Sequence, residues 1–471
     1  MSPLASSIVA DEPSGSPDAP SARPRRRNPD ASPARSSRLS RVVWRWHFYA
    51  GVITSPILII VTLTGLLFIF SPEIERYLHR DRLFVQPSAN RLAISALVET
   101  AARSHPGWTV SRLAIEPAED RSVVVSLADA EATRTRDIYI DPYRGDILAD
   151  VDPANDRVRN FFQLVLEIHR TLFVGATGRV LVELATCWSV LLMLTGIYLW
   201  WPRRWNIPRG VWLPRLRAKP YTVQRDLHTV VGIYALPVLL LISLTGMFYT
   251  IVWGKGAVAA SVVSREGISG LSEEPAGHGG RHVETKNSPI AAGDIDESVR
   301  IAARACPERS LGLDLANASA TSLAVHTLDD YAVNSRGPFE SETLTINPGT
   351  GKIIKREPLS ENAAFWWHRW VYPLHVGSFW GLPTKILWAI GCLVLIGLPI
   401  TGLWMWWIRR PKGRTGIPRR PPVKLPYWIL GLVALACVLF PVAGASVLLF
   451  ACGEWIWGRF RRRKRSLALP R

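Results

Sequence analysis

The sequence predicts an α-helical integral membrane protein with an internal tandem duplication: four core spans plus a C-terminal helical hairpin, and two small α+β domains on one side of the membrane. Three observations predict it. Long apolar blocks recur almost free of charge, arginines crowd alternate loops, and His, Gly, Pro and Thr recur at matched spacings in two halves of the chain.

The first block, Phe48 to Phe70, contains no Asp, Glu, Lys or Arg. Val180 to Trp201, Val230 to Trp253 and Ile386 to Ile408 are alike, with Glu183 the only charge among them. A helix needs about 20 apolar residues to cross the hydrocarbon core, so each block is long enough to span. The first is too long for a signal-peptide core and lacks a small-residue cleavage site, and reads as a retained anchor.

The net charge of +18 orients the chain and does not mark a nucleic-acid partner. Arg23, Arg25, Arg26, Arg27, Arg35, Arg38, Arg41 and Arg45 precede span one. Arg203, Arg204, Arg209, Arg215, Arg217 and Lys219 separate spans two and three, and Arg409, Arg410, Lys412, Arg414, Arg419, Arg420 and Lys424 follow span four. By the positive-inside rule these loops and the amino terminus face the cytoplasm. The order expected is a disordered basic tail (1–40), span one (41–70), a first external domain (71–160), a helix and span two (161–203), a basic loop (204–224) and span three (225–253). A second external domain with a flexible insertion (254–362), a helix and span four (363–408), a basic loop (409–424), the hairpin (425–458) and a basic tail (459–471) complete it.

Span one carries His47, Gly51, Pro56, Thr64 and Gly65; span three carries His228, Gly232, Pro237, Thr245 and Gly246, every one offset by 181. Span two carries His169, Gly175, Thr195, Gly196, Trp200, Trp201, Arg203 and Arg204. Span four carries His375, Gly381, Thr401, Gly402, Trp406, Trp407, Arg409 and Arg410, all offset by 206. Two spans per half preserve orientation, which implies a parallel repeat about an axis along the membrane normal.

The external loops repeat too. Tyr139-Ile-Asp-Pro-Tyr-Arg-Gly-Asp-Ile147 matches Thr345-Ile-Asn-Pro-Gly-Thr-Gly-Lys-Ile353 as strand, Asx-Pro turn and strand. An alternating run, Arg121 to Leu127, and a helical stretch near Ile94 to Ala102 precede the first. The change of offset places 25 extra residues in the second loop, within the Gly- and Ser-rich Ser264 to Pro289. Of five Cys, four lie in apolar blocks and only Cys306 in an external loop, so no disulfide framework is expected.

The last apolar stretch, Leu425 to Trp457, reads as a hairpin broken near Pro441 and Gly444. A single span would instead put the basic Arg459 to Arg465 outside, against the charge rule.

The repeat also sorts the ten His. His47 and His228 fall near the cytoplasmic ends of spans one and three, and His169 and His375 just before spans two and four, at the external surface. Each face thus receives one His from each half. A low-spin haem iron takes two axial imidazoles, which facing helices of a bundle can supply. Gly51 and Gly232, four residues after a His, remove bulk on the ligand's face. Arg170 and Arg369 are basic groups placed to meet haem propionates.

Two His alone, without Cys, Asp or Glu at fixed spacing, make a poor zinc site. The ordinary reading of one interfacial His is an amphipathic surface residue; two duplicated pairs argue for ligands. His368, two turns before His375 with Phe162 as its counterpart, is open among alternative ligand, substrate contact and structural residue. His79, His105, His278, His282 and His326 are expected in loops. Trp44, Trp46, Trp200, Trp201, Trp404, Trp406 and Trp407 form an interfacial aromatic belt, and the Thr-Gly pairs suit close helix packing. Walker, dinucleotide and nucleophile-elbow motifs are absent, so hydrolysis and nicotinamide binding lack support.

The chain resembles the PepSY-associated transmembrane family of bacterial proteins, which includes iron-regulated membrane proteins and ferric-siderophore reductases. The resemblance rests on Trp46-His47-Phe-Tyr-Ala-Gly51, the Leu63-Thr-Gly65 and Leu244-Thr-Gly246 span ends, Leu374-His375-Val-Gly377 and the two Asp/Asn-Pro-x-x-Gly turns. It covers most of residues 41 to 458 and implies two PepSY-like periplasmic domains. In the reductase members it implies two b-type haems carrying electrons across the inner membrane, with His47, His169, His228 and His375 as axial ligands. The function expected from it is periplasmic reduction of a ferric siderophore or similar ferric chelate, fed by a separate cytoplasmic electron donor. The alternatives are a haem conduit serving another protein and a non-enzymatic anchor whose external domains restrain a periplasmic partner.

Overall fold

The computed structural model describes residues 35–202, 205, 206, 208–267, 291–328, 340–411, 413, 416 and 426–467. Its first element, α1 (Arg35–Ile69), starts inside the stretch expected to be disordered and carries the first span. Then come α2 (Ser71–Leu78), α3 (Arg80–Leu83), α4 (Ile94–Ser104), β1 (Thr109–Ile115), β2 (Val123–Ala128), β3 (Thr135–Ile140), β4 (Ile147–Val151), α5 (Arg157–Thr171) and α6 (Gly175–Trp200). The same sequence of elements follows again: α7 (Pro220–Asp226), a π-helical turn (Leu227–Val231), α8 (Gly232–Met247), α9 (Val252–Glu266), α10 (Ala292–Ala305), β5 (Ser310–Ser319), β6 (Ser322–Leu328), β7 (Glu342–Asn347), β8 (Lys352–Pro358), α11 (His368–Val376) and α12 (Leu382–Arg409).

Among the described residues four helical stretches are long and apolar enough to cross a membrane: Leu39–Ile69, Gly175–Trp200, Pro220–Met247 and Leu382–Arg409. The chain is an integral membrane protein. Span three stops at Met247, six residues earlier than its apolar block, because a turn and α9 begin there. The cause is Glu183, fully buried in α6, whose carboxylate accepts the Val252 and Trp253 N–H groups at 2.8 Å each. A carboxylate on the free N–H groups of a helix start satisfies both partners.

The strands form one eight-stranded antiparallel sheet in the order β4-β3-β2-β1-β5-β6-β7-β8. The expectation was two small α+β domains, and the strand units of the two loops join here in one continuous sheet. Each four-stranded unit leaves its first strand unpaired, and an open strand edge pairs with another of its kind. Here β1 and β5 join, with Leu113 opposite Leu313, Arg112 opposite Asp314 and Ala114 opposite Gly312. Helices α4 and α10 cover one face, burying Leu97, Ala101, Ala302, Val125, Ile138, Val325 and Leu344 in one common core. Ser95 and Asp296 tie those two helices together, the Ser95 N–H donating at 3.0 Å. Cys306 caps α10 as a buried free thiol. His326 lies on β6 and not in a loop. His278, His282 and most of the Ser264 to Pro289 insertion fall outside the described residues.

The C-terminal apolar stretch breaks between α13 (Tyr427–Leu439) and α14 (Pro441–Leu467). Gly444 allows the break: a Cβ there would sit 2.7 Å from the Cys437 carbonyl. Near its start α14 lies beside Trp253, whose indole donates to the Leu439 carbonyl at 3.0 Å; further along, Phe450 meets Trp46 at the basic end of α1. It therefore runs from the sheet side toward the basic side.

Candidate functional site

Two imidazole pairs stand in the helical bundle. On the basic side His47 of α1 faces His228 in the π-helical turn, with ring centres 6.4 Å apart. On the sheet side His169 of α5 faces His375 of α11 at 6.3 Å. All four residues selected from the repeat are thus brought together in the expected pairs. His47 and Thr64 are 17 residues apart on one helix, so the two pairs lie about 25 Å apart along it.

Each ring is anchored through Nδ1. His47 Nδ1 lies 2.9 Å from Thr195 Oγ1, and the Thr195 hydroxyl proton is already given to the Leu191 carbonyl at 2.8 Å. The hydroxyl must therefore accept, and His47 carries its proton on Nδ1. His228 Nδ1 meets Thr401 Oγ1 at 3.0 Å and the Leu398 carbonyl at 3.1 Å. His169 Nδ1 donates to the Val61 carbonyl at 2.8 Å, and His375 Nδ1 to the Ile242 carbonyl at 3.2 Å. Carbonyls only accept, so the tautomer is the same throughout: Nδ1 protonated, with the ring's lone pair on Nε2. Burial first, and the facing His169 second, pull His375 down to about 4; burial likewise lowers His169. Both stay neutral, as metal-binding imidazoles must.

The Thr-Gly pairs, expected as packing residues, are the cradle of these rings. A Cβ on Gly65 would lie 2.9 Å from His169 Cε1, and one on Gly246 3.0 Å from His375 Cε1. Gly196 and Gly402 hold the same place against His47 and His228 at 3.6 Å. Gly51 and Gly232 instead face Leu192 and Leu398, at 4.0 and 3.4 Å. The Thr-Gly repeat was visible in the sequence and its use was not; the signal was its fixed spacing from the His of its own span, 17 residues from His47 to Thr64 and His228 to Thr245 and 26 from His169 to Thr195 and His375 to Thr401.

The remaining candidates separate. Arg369 pairs with Glu340 and Arg170 is exposed. His368 shares α11 with His375, stacks on Tyr372 at 5.1 Å and meets Tyr249, which in turn lies 5.5 Å from His375. His79 sits beside Asp156 and His105 beside Asp150.

The pair spacing allows a test of fit. With a metal–imidazole bond of about 2.0–2.1 Å and a ring nitrogen about 1.1 Å from its ring centre, two imidazoles opposed on one metal atom have centres about 6.3 Å apart. Both pairs match that figure. Among the described residues no three His, Cys, Asp or Glu side chains gather as a metal cluster. The arrangement suits a metal that arrives with its in-plane donors already attached, as in haem, and needs only two axial imidazoles. Nδ1–H held by a carbonyl or hydroxyl is the usual outer support of such a ligand.

The sequence profile of the PepSY-associated TM region matches residues 44–409, which contain all four His and both strand units. The chain belongs to the PepSY-associated transmembrane family. Among similar proteins is an uncharacterized protein of Pseudomonas aeruginosa, 28% identical over 300 residues, covering 59% of this chain and 71% of the relative.

Proposed function

We propose that this PepSY-associated protein is a di-haem conduit of the bacterial cytoplasmic membrane, carrying electrons from a separate cytoplasmic donor to a ferric siderophore or similar ferric chelate at the periplasmic face. The observation that carries the reading is the two imidazole pairs at 6.4 and 6.3 Å, each ring with Nδ1 tied and its lone pair left on Nε2. His47 and His228 would hold the inner haem b, His169 and His375 the outer one. Haem supplies one-electron chemistry at each pair.

The protein's own residues do the rest. Thr195, Thr401 and the Val61, Ile242 and Leu398 carbonyls hold each Nδ1 proton and stop the rings turning. With His169 and His375 both engaged in holding the outer haem, the acceptor would take its electron at the protein surface. Fe(II) is held less tightly than Fe(III) by hard oxygen donors, so reduction releases the metal. On this reading the matched halves are a tandem duplication about an axis along the membrane normal, and each haem would be held by one His from either half. The basic loops face the cytoplasm and the sheet covers the outer pair on the periplasmic side.

The reading is tested with right-side-out membrane vesicles, a ferric chelate outside and a ferrous-iron dye as readout. Replacement of His169 and His375 by Phe is expected to abolish reduction. Reduction at the wild-type rate in that variant removes the outer pair from the path and the proposal with it.

A further inference from the structure

The two halves match at the ligands and their cradles, yet differ in the wall beside the outer pair. At positions offset by 181 or 206, the second half presents Tyr249, His368 and Tyr372 where the first has Phe68, Phe162 and Leu166. The three polar rings form one half-buried group. Tyr249 lies 5.5 Å from His375 and 6.0 Å from His368, and His368 stacks on Tyr372 at 5.1 Å with planes 23° apart. Phe162, in the place of His368, is buried.

Arg369, next to His368, lines a cavity of about 230 Å³ together with Arg309, Arg356, Glu340 and Glu342. Arg309 and Arg369 share Glu340, and Arg356 Nη2 bonds Glu342 at 2.8 Å. Three guanidiniums against two carboxylates leave a positive balance. The first half is no poorer in positive charge at the matched positions, with Asp150 and Gln163 for Arg356 and Arg369 but Arg134 and Arg136 for Glu340 and Glu342. The asymmetry therefore lies in the three rings. A cofactor between two equivalent ligands has no use for it; an acceptor that approaches from one side does.

We infer that the acceptor binds on the second-half wall of the outer pair, against Tyr249, His368 and Tyr372 with Arg369 behind them, and that its class is an oxygen-donor ferric chelate. This rests on the conduit reading. The half-buried rings offer flat faces to the chelate and the positive balance attracts negative charge, while Tyr249 Oη and His368 Nδ1, buried in this structure, would turn outward to donate to its oxygens. The step would move one electron: chelated Fe(III) becomes Fe(II), and the electron would come from the reduced haem that His169 and His375 would hold. No bond to the chelate forms or breaks in that transfer.

The test replaces each residue by its first-half counterpart in Tyr249→Phe/His368→Phe/Tyr372→Leu, with Phe162→His as the mirror control. Binding of a gallium(III) tris-hydroxamate, which accepts no electron, is measured by quenching of Trp fluorescence. Reoxidation of the pre-reduced protein is followed with the ferric tris-hydroxamate and, separately, with ferricyanide. The expected result is at least tenfold weaker gallium-chelate binding and slower reoxidation by the ferric chelate, with ferricyanide kinetics unchanged and the mirror control like wild type. Unchanged gallium-chelate binding overturns the assignment, and so does equal slowing with both oxidants, which would place the three rings in electron transfer itself. If the triple variant does not fold, His368→Phe and Arg369→Gln singly carry the same comparison. Gallium binding needs no haem, so a wild type that binds the chelate without reducing iron counts against the conduit and leaves the location standing.

Discussion

Thr195, on the second long span, accepts the Nδ1 proton of His47, on the first, at 2.9 Å. The same relation links Thr401 to His228 at 3.0 Å, and on the sheet side main-chain carbonyls take over that role. Each half therefore fixes its own imidazoles. Ligands held in this way lose little freedom on binding.

Thr195→Val keeps the shape of the side chain and removes the acceptor. Loss of an outer support of this kind costs about 10–100-fold in metal affinity. The inner haem is expected to be lost on dilution, with haem per chain falling from two toward one. Thr401→Val is expected to be milder, because His228 keeps the Leu398 carbonyl. Equal haem content in Thr195→Val and wild type would contradict this.

Gly65→Ala and Gly246→Ala place a methyl carbon 2.9 and 3.0 Å from an imidazole Cε1, closer than carbon atoms pack. Both variants are expected to lose the outer haem and keep the inner. Gly196→Ala and Gly402→Ala bring ordinary contact at 3.6 Å and are expected to keep both. Pyridine-haem assays of the four proteins give the answer directly.

Lys385, 1% exposed at the start of α12, bonds Glu73 of α2 at 2.6 Å and so ties one half to the other. Breaking a buried pair costs about 3–5 kcal/mol, and Lys385→Met should fall near the lower end because the Glu73 side chain keeps 29% exposure. The double variant Lys385→Met/Glu73→Leu is expected to recover most of that loss, as read by thermal unfolding in detergent.

Asp156 gives the sheet side an acid-dependent contribution. Burial alone would raise its carboxyl, but the bond from Arg82 and the Arg159 N–H outweigh burial and hold it below the ordinary 3.8. A depressed carboxyl stabilises the fold above its unfolded value, and the gain is lost as pH falls through the folded one. Melting temperature should therefore drop as pH falls below the ordinary 3.8 in wild type, and less steeply in Asp156→Asn.

Much of this was legible in the sequence. The spans were visible as uncharged blocks because lipid excludes charge, and the four His stood out because their spacing repeats at offsets of 181 and 206. What stayed hidden depended on contacts between distant segments. The joining of β1 to β5 is set by two open edges nearly 200 residues apart, and no local pattern records which edge meets which. The early end of span three depends on Glu183 receiving the N–H groups of Val252 and Trp253. Thr-Gly reads as packing on one helix and becomes a ligand cradle only when the neighbouring helix supplies the imidazole.

The most direct measurement is the optical spectrum of the detergent-purified protein, oxidised and dithionite-reduced, with haem per chain, in wild type and in His47→Ala and His169→Ala. The account predicts sharp bis-imidazole b-type bands at two haems per chain in wild type and one in either variant. A folded, monodisperse protein that carries no haem after expression with ample haem supply would contradict it.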